Sequence, residues 1–332
     1  MTIAAGTYTT YQANRLREEF RDAIYMISPE ECPAWSMFPH ENVDSRHPEW
    51  STDTLATPVI TNQVLEGDEY SYNAILPTTR IGNYTEIARK TYIIARTEEI
   101  VSKAGPKSEL GRERRKKGLE LKQDMELAIL ANKASVAGAD ATIRKSAGFA
   151  AWITTNDQRG ATGTDGGFST GIVAAGGLGT QRAFTKVLLD AAILSAYTNG
   201  GSPTVLMVSP YVKTVFSTLI NIANTPVIQT NLRGKEQATI TGAADAYNSD
   251  FGFIDVVVNR QLARGGATLA RNAYLIDLSK VAVGILDDVF EDKPAKTGDA
   301  EKRALLCEYT LIMKNEAAHA VIYDLFGMTS IA

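Results

Sequence analysis

The sequence has no excess of basic residues: 34 Lys and Arg stand against 38 Asp and Glu among 332 residues, a formal charge of −4. Binding along a phosphate backbone runs on cations that displace counterions, so sequence-independent nucleic-acid binding is disfavoured. Cysteine is scarce. Cys32 and Cys307 lie far apart, which fits synthesis in a reducing, cytoplasmic compartment. The start MTIAAGTYTT lacks the basic flank and apolar run of a secretory signal. No apolar stretch approaches the roughly 18 residues of a membrane span. What remains is ordinary globular material, 44% hydrophobic and 22% charged, enough for one large or two mid-sized cores.

Residues 1–50 read as an extended arm. Leu16, Phe20, Ile24 and Ile27 fall at helical spacing, and Pro29, Pro33, Pro39 and Pro48 then break regular structure. Such an arm cannot bury Trp35, Met37, Phe38 and Trp50 within itself, so they pack either on its own domain or on another chain. Two extended segments follow, WSTDTLATPVI and EIARKTYIIARTEEIV, and predict a long hairpin of about 50 residues. A two-stranded ribbon has no core of its own, which makes a neighbouring subunit its natural support.

After Gly105 and Pro106, Ser108 is placed to cap a long helix of roughly seven turns. Its second half carries an apolar stripe at Leu121, Met125, Ala128 and Ile129, while its first half is charged apart from Leu110. The run Arg112 to Lys117 reads as a solvated face laced with Glu109, Glu113 and Glu120, or as charges paired to a neighbouring chain, ahead of a nucleic-acid patch. Residues 138–179 are small and glycine-rich, a loop or flexible connection. From 180 to about 285 helix and strand alternate, which predicts a mixed α/β subdomain. The helix marked by Phe184 to Leu194 closes at Asn199 and Gly200, TVLMV is a strand, and Ser209 and Pro210 open another helix. GFIDVVV and AYLIDL add strands. In the C-terminal part Cys307, Tyr309, Leu311 and Met313 share one face of a long strand, with Glu308, Thr310 and Lys314 on the other and a turn at Asn315.

Chemistry has little support. Gly167, Ser169 and Gly171 satisfy G-x-S-x-G, and His319 is a candidate base, but neither a strand before nor a helix after is signalled, so a serine hydrolase is a remote alternative. Cys32, His40 and His47, with Glu41 and Asp44, match no compact metal spacing. Glu98 and Glu99 are adjacent on an extended segment and point apart. No phosphate-loop or dinucleotide fingerprint exists. No catalytic residue, cofactor or metal is expected.

The order of arm, long hairpin, half-polar helix, α/β subdomain and final strands resembles the major capsid proteins of tailed bacteriophages, with the HK-97-type fold. The phrases HPEWSTDTLA (47–56), NYTEI (83–87), ELKQDMELAIL (120–130) and CEYTLIMKNEAAHAVI (307–322) are similar to those of one subfamily of them. The resemblance implies an α+β fold: N-terminal arm 1–50, extended loop 51–104, peripheral domain 105–179 with its spine helix, axial domain 180–285, and strands 286–332 returning to both. It implies pentamers and hexamers that assemble into an icosahedral head around double-stranded DNA contacted weakly, located in the virion and assembled in the host cytoplasm. Portal, separate scaffolding and decoration proteins are the further partners, and no membrane is involved. An encapsulin-like compartment is the alternative with the same fold. The extended loop of some members is cross-linked through a lysine, whereas none stands here between Thr61 and Arg89, so an uncross-linked shell is expected. Interface candidates are Trp35, Trp50, Tyr70, Tyr72, Tyr84, Arg112, Arg114, Arg115, Lys116 and Lys117, aromatic anchors and charges suited to contacts between subunits.

Overall fold

A computed structural model describes residues 28–70, 72, 74–75, 77–101, 108–223 and 245–328, without the side chains of 220–223. The helix expected around Leu16 to Ile27 lies outside the described residues. In chain order the elements begin with α1 (Pro33–Met37), β1 (His40–Asn42), β2 (Glu49–Thr52), β3 (Thr79–Gly82), β4 (Glu86–Ala95), α2 (Arg96–Ile100) and α3 (Glu109–Leu130). Then come α4 (Phe149–Trp152), β5 (Asp157–Gln158), β6 (Gly167–Ser169), β7 (Ile172–Ala174), α5 (Lys186–Thr198), β8 (Val205–Val208) and α6 (Pro210–Ala223). The chain closes with β9 (Ala246–Ser249), β10 (Gly252–Val258), α7 (Arg260–Arg264), α8 (Ala267–Ala270), β11 (Ala273–Ile276), β12 (Val281–Asp292), β13 (Ala300–Met313) and β14 (Ala320–Ile322).

Two sheets organise the molecule. The four-stranded sheet runs β1-β12-β13-β4, with β12 and β13 as a long antiparallel hairpin and β1 parallel to β12. The spine helix α3 lies on one face of it. Ser108 caps that helix through its side chain, which accepts from the Gly111 N–H, and Leu121, Met125 and Ile129 are buried as the apolar stripe requires. Cys307, Tyr309, Leu311 and Met313 are buried on one face of β13, as their alternation predicts. Thr310, expected on the polar face, is buried too, because its hydroxyl donates to the Tyr84 carbonyl.

The six-stranded sheet, order β5-β14-β11-β8-β10-β9, separates two cores. Side chains alternate across it with period two. Val205, Met207, Tyr274, Ile276 and Val321 join the core under α3. Leu206, Val208, Ala273, Leu275, Ala320 and Ile322 join a second core under α5 and α6, with Leu189, Ile193, Val212 and Phe216. Each of the larger aliphatic side chains contributes about 1.5–3 kcal/mol by leaving water. Burial on both faces is why these strands read as continuous apolar runs. Thr185 and Ser209 cap α5 and α6.

Two expectations need correction. The segments WSTDTLATPVI and EIARKTYIIARTEEIV do not pair with each other. The hairpin stem is β2 with β3, Glu49↔Gly82 to Thr52↔Thr79. The second segment instead becomes β4, antiparallel to β13, and ends in the short helix α2. Ala88, Tyr92 and Ile94 there gain burial against the core, which no ribbon could offer them. Residues 138–179 are no flexible connection. Phe149, Ala150, Ala151, Trp152 and Ile153 lie in the deepest core, and the glycines permit close packing: a Cβ at Gly148 would stand 2.2 Å from the Ala131 carbonyl oxygen.

Candidate assembly surfaces

Beyond the β2–β3 stem the chain leaves its own body. Leu55, Val59, Ile60, Val64, Leu65, Tyr70, Tyr72 and Ile75 are between 67% and 99% exposed. The hydrogen bonds within residues 53–70 are local, such as the Asp68 N–H to the Leu65 carbonyl at 3.1 Å. An apolar cluster of this size on a free protein marks a surface awaiting a partner.

The base of the loop is rigid. Asn83 is fully buried, and its amide donates to the carbonyls of Leu311 (2.8 Å) and Ala147 (3.2 Å) and to Ser146 Oγ (3.1 Å). Its Oδ1 accepts from the backbone N–H groups of Ala147 and Tyr84. Beside it Glu86 accepts from the Tyr309 hydroxyl at 2.6 Å and pairs with Lys133 at 2.5 Å. The amide of Asn83 and both carboxylate oxygens of Glu86 find partners as they leave water, so the loop projects from a fixed point. Tyr84 belongs here, stacked on His47 with ring centroids 4.1 Å apart, and not near the loop tip with Tyr70 and Tyr72.

The arm has the opposite character where it is described. Helix α1 has Pro at its first position and no cap from Cys32. Its free N–H groups on Ala34 and Trp35 donate instead to Glu126 of the spine helix, at 2.8 and 2.6 Å, and Asn259 Nδ2 donates to the same carboxylate at 2.6 Å. Burial pushes this carboxyl above its ordinary range, against the pull of those three donors. Gln123 Nε2 donates to the Pro29 carbonyl at 2.9 Å and Gln261 Nε2 to that of Glu31 at 3.0 Å. Trp35 stands edge-on to Tyr309 at 5.7 Å, and Trp50 lies 5.9 Å from Trp152. Both tryptophans are half-buried against their own chain's core. The Glu126 hub was not legible in advance, because a glutamate in a charged helix gives no sign of burial.

Along the first half of the spine helix, Arg112 pairs with Glu109 and Glu113, and Lys117 with Glu120 at 2.8 Å. Arg114 stays 62% exposed with Glu291 at 4.0 Å. Arg115 and Lys116 are exposed and have no ion pair among the described residues.

The G-x-S-x-G stretch is the turn of a two-stranded hairpin, β6 to β7, with Thr170 and Gly171 both at positive φ. Ser169 is exposed on it, while His319 is buried at the head of β14, where its Nδ1 accepts from the Asp277 N–H at 3.1 Å. No strand-to-helix elbow forms. His40 Nε2 lies 3.0 Å from the Trp35 carbonyl oxygen, and no group of three metal-binding side chains occurs among the described residues.

Comparison with known proteins gives consistent results. The family model of the SU10 major capsid protein matches residues 3–326. The major capsid protein of Escherichia phage Phieco32 is 31% identical over 172 residues, a stretch that covers 52% of this chain and 48% of that protein. The chain of the cyanophage A-1(L) capsid asymmetric unit superposes with a TM-score of 0.60 at 16% identity, over 96% of this chain and 98% of that one. One from Gordonia phage Cozz gives 0.61 at 12% identity, over 97% and 96%. The SrpI encapsulin of Synechococcus elongatus gives 0.56 at 9% identity, over 96% and 95%. At such identities the superpositions establish the shared HK-97-like fold.

Proposed function

Since the chain belongs to the SU10 major capsid protein family, we propose that it builds the icosahedral head of a tailed phage from pentamers and hexamers and encloses double-stranded DNA. The observation that supports assembly is the loop. Eight large apolar side chains stand in solvent on a stem whose base is locked, and each would contribute up to about 1.5–3 kcal/mol if a neighbour buried it, before the cost of association. Tyr70 and Tyr72 are the anchors of that contact. Arg114, Arg115 and Lys116 serve contacts between subunits, whereas Arg112, Lys117, Trp35, Trp50 and Tyr84 act first inside their own chain. The absence of a basic excess suits containment of DNA better than tight binding. Portal, scaffolding and decoration proteins are the further partners, met in the host cytoplasm before the virion is released. The peripheral body is built on the spine helix and the four-stranded sheet, and the axial one on the six-stranded sheet with α5 and α6.

Electron microscopy and light scattering of the purified chain test this. Closed shells, or rings of five and six, are the expected result, and shells that hold nucleic acid distinguish a phage head from an encapsulin-like compartment. A persistent monomer that hydrolyses esters through Ser169 would overturn the proposal.

A further inference from the structure

The chain passes between the four-stranded and the six-stranded sheet three times: from β4 through α3 and α4 to β5, from β11 to β12, and from β13 to β14. The ends of these passages are tied together at one joint. Asn156 Nδ2 donates to the carbonyls of Ala317 (2.6 Å) and His319 (2.8 Å), and Glu316 Oε2 accepts from the Thr154 and Thr155 N–H groups. The Lys314 N–H donates to the Lys280 carbonyl at 2.9 Å. The His319 side chain adds a further link between the second passage and the third, because its Nδ1 accepts from the Asp277 N–H at 3.1 Å.

One protonation state fits that contact. Nδ1 accepts only while it carries no proton, so the ring is neutral with its hydrogen on Nε2. Nε2 is buried without a hydrogen-bond partner, beside a Lys280 carbonyl that the Lys314 N–H already engages. The ring itself is fully buried, its centroid 5.1 Å from that of Phe149 on α4. Most charged groups around the joint are engaged elsewhere: Lys314 with Glu41, Glu316 with Thr154 and Thr155, and Asp157 of β5 with Arg159, while the Lys280 side chain is exposed. Asp277 remains. Its Oδ1 accepts from the N–H and the hydroxyl of Ser279, at 2.9 and 2.7 Å, and its Oδ2 accepts no hydrogen bond among the described residues. This carboxylate already favours a charged imidazole, although burial weighs more against it.

A proton taken from solvent onto Nδ1 sets two donors face to face, the new N–H and that of Asp277. We propose that His319 and Asp277 form a proton-driven switch with two positions. The neutral ring holds the Asp277 N–H; the charged ring turns to the Asp277 carboxylate, releases that N–H and shifts the turn Asp277–Lys280 between β11 and β12. Acid thereby loosens one connection between the two sheets while the cores on either side stay packed. The switch lies inside one copy and needs no second one.

The full chain has three histidines, so NMR of the isotope-labelled rings resolves them, and the His319 signals are those that disappear in His319→Asn. At pH 7 His319 should carry no proton on Nδ1, and it should gain one as the pH falls to about 4. Over that step hydrogen-exchange protection of the Asp277 amide should drop by about tenfold or more, with the amides of Leu206 and Tyr274 as protected as before. Asp277→Asn keeps an oxygen for Ser279 but removes the charge that receives the imidazolium, so the His319 ring should bind its proton about tenfold more weakly. His319→Asn puts an uncharged acceptor in the place of Nδ1 and should keep the Asp277 amide protected down to pH 4. A proton on Nδ1 at pH 7, a His319 titration unmoved by Asp277→Asn, or an Asp277 amide equally protected at both ends of the titration would each overturn the switch. Loss of protection throughout the chain at the pH where the ring charges would do the same, since protonation would then unfold the protein and no second position would exist.

Discussion

Residues 28–38 and the described residues between 53 and 75 are both proline-bearing and apolar, yet the first stretch is fastened inside its own chain and the second leaves its large side chains in water. Hydrophobicity does not separate them, since Trp35 and Phe38 on one side are matched by Leu55, Ile60 and Tyr72 on the other. The difference lies in polar sockets. The arm passes over Gln123, Glu126 and Gln261, which take up its backbone carbonyl and N–H groups, and a backbone with its hydrogen bonds met can be buried. For the loop only the base has such a socket, at Asn83. Beyond Thr52 and Thr79 the large described side chains of the loop stand in water, which is the surface the proposed assembly would bury.

The largest effect is expected where the arm is held. Replacing Glu126 by Ala leaves the Ala34 and Trp35 N–H groups and the Asn259 amide without an acceptor in a buried site, and should lower stability by about 3–5 kcal/mol. Urea unfolding measures this, and proteolysis near Pro29 should accelerate in parallel. A variant that unfolds like the unaltered chain would mean that Glu126 does not decide the arm's capture.

The captured side of the molecule should also be sensitive to acid. Burial lowers the His319 imidazole from 6.5 to about 4, so as pH falls the unfolded chain takes up the proton first. Stability is unaffected above pH 7 and falls through the window from roughly 6.5 to 4, by about 3 kcal/mol when complete. Asp157, pushed up to about 6 by burial and then by its hydrogen bond to Asp165, acts in the opposite direction in the same window. The difference between the unaltered chain and His319→Asn isolates the histidine, and equal pH profiles would refute the assignment.

On the exposed side the sign of the comparison reverses. Tyr70→Ser with Tyr72→Ser should change the stability of the free chain by no more than about 0.5 kcal/mol, while the yield of assembled particles drops. If the double variant melted several degrees lower, the loop would be folding on its own copy after all. The smallest effect is a null one: with no lysine between Thr61 and Arg89, boiled particles should give one band on a denaturing gel, and a ladder of multimers would contradict it.

The phrases that carried the family resemblance coincide with the hubs found later. NYTEI supplies Asn83 and Glu86, ELKQDMELAIL supplies Glu126, and CEYTLIMKNEAAHAVI supplies Tyr309, Leu311 and His319. Their polar residues sit where several segments meet, so they cannot be read one element at a time. The buried stretch 147–153 was missed for a related reason, since glycine and alanine signal looseness locally and dense packing only when neighbours surround them.

By itself the sequence determined what local periodicity and capping can specify: the spine helix from Ser108 onward, the two-faced strands of the α/β region, and the long strand around Cys307 to Met313. The tertiary structure alone decided pairing and fate. It placed β4 beside β13 and not in the hairpin, it buried Glu126 beneath the arm, and it left the loop bare, because each of these outcomes depends on which distant residue supplies a hydrogen-bond partner or an apolar surface.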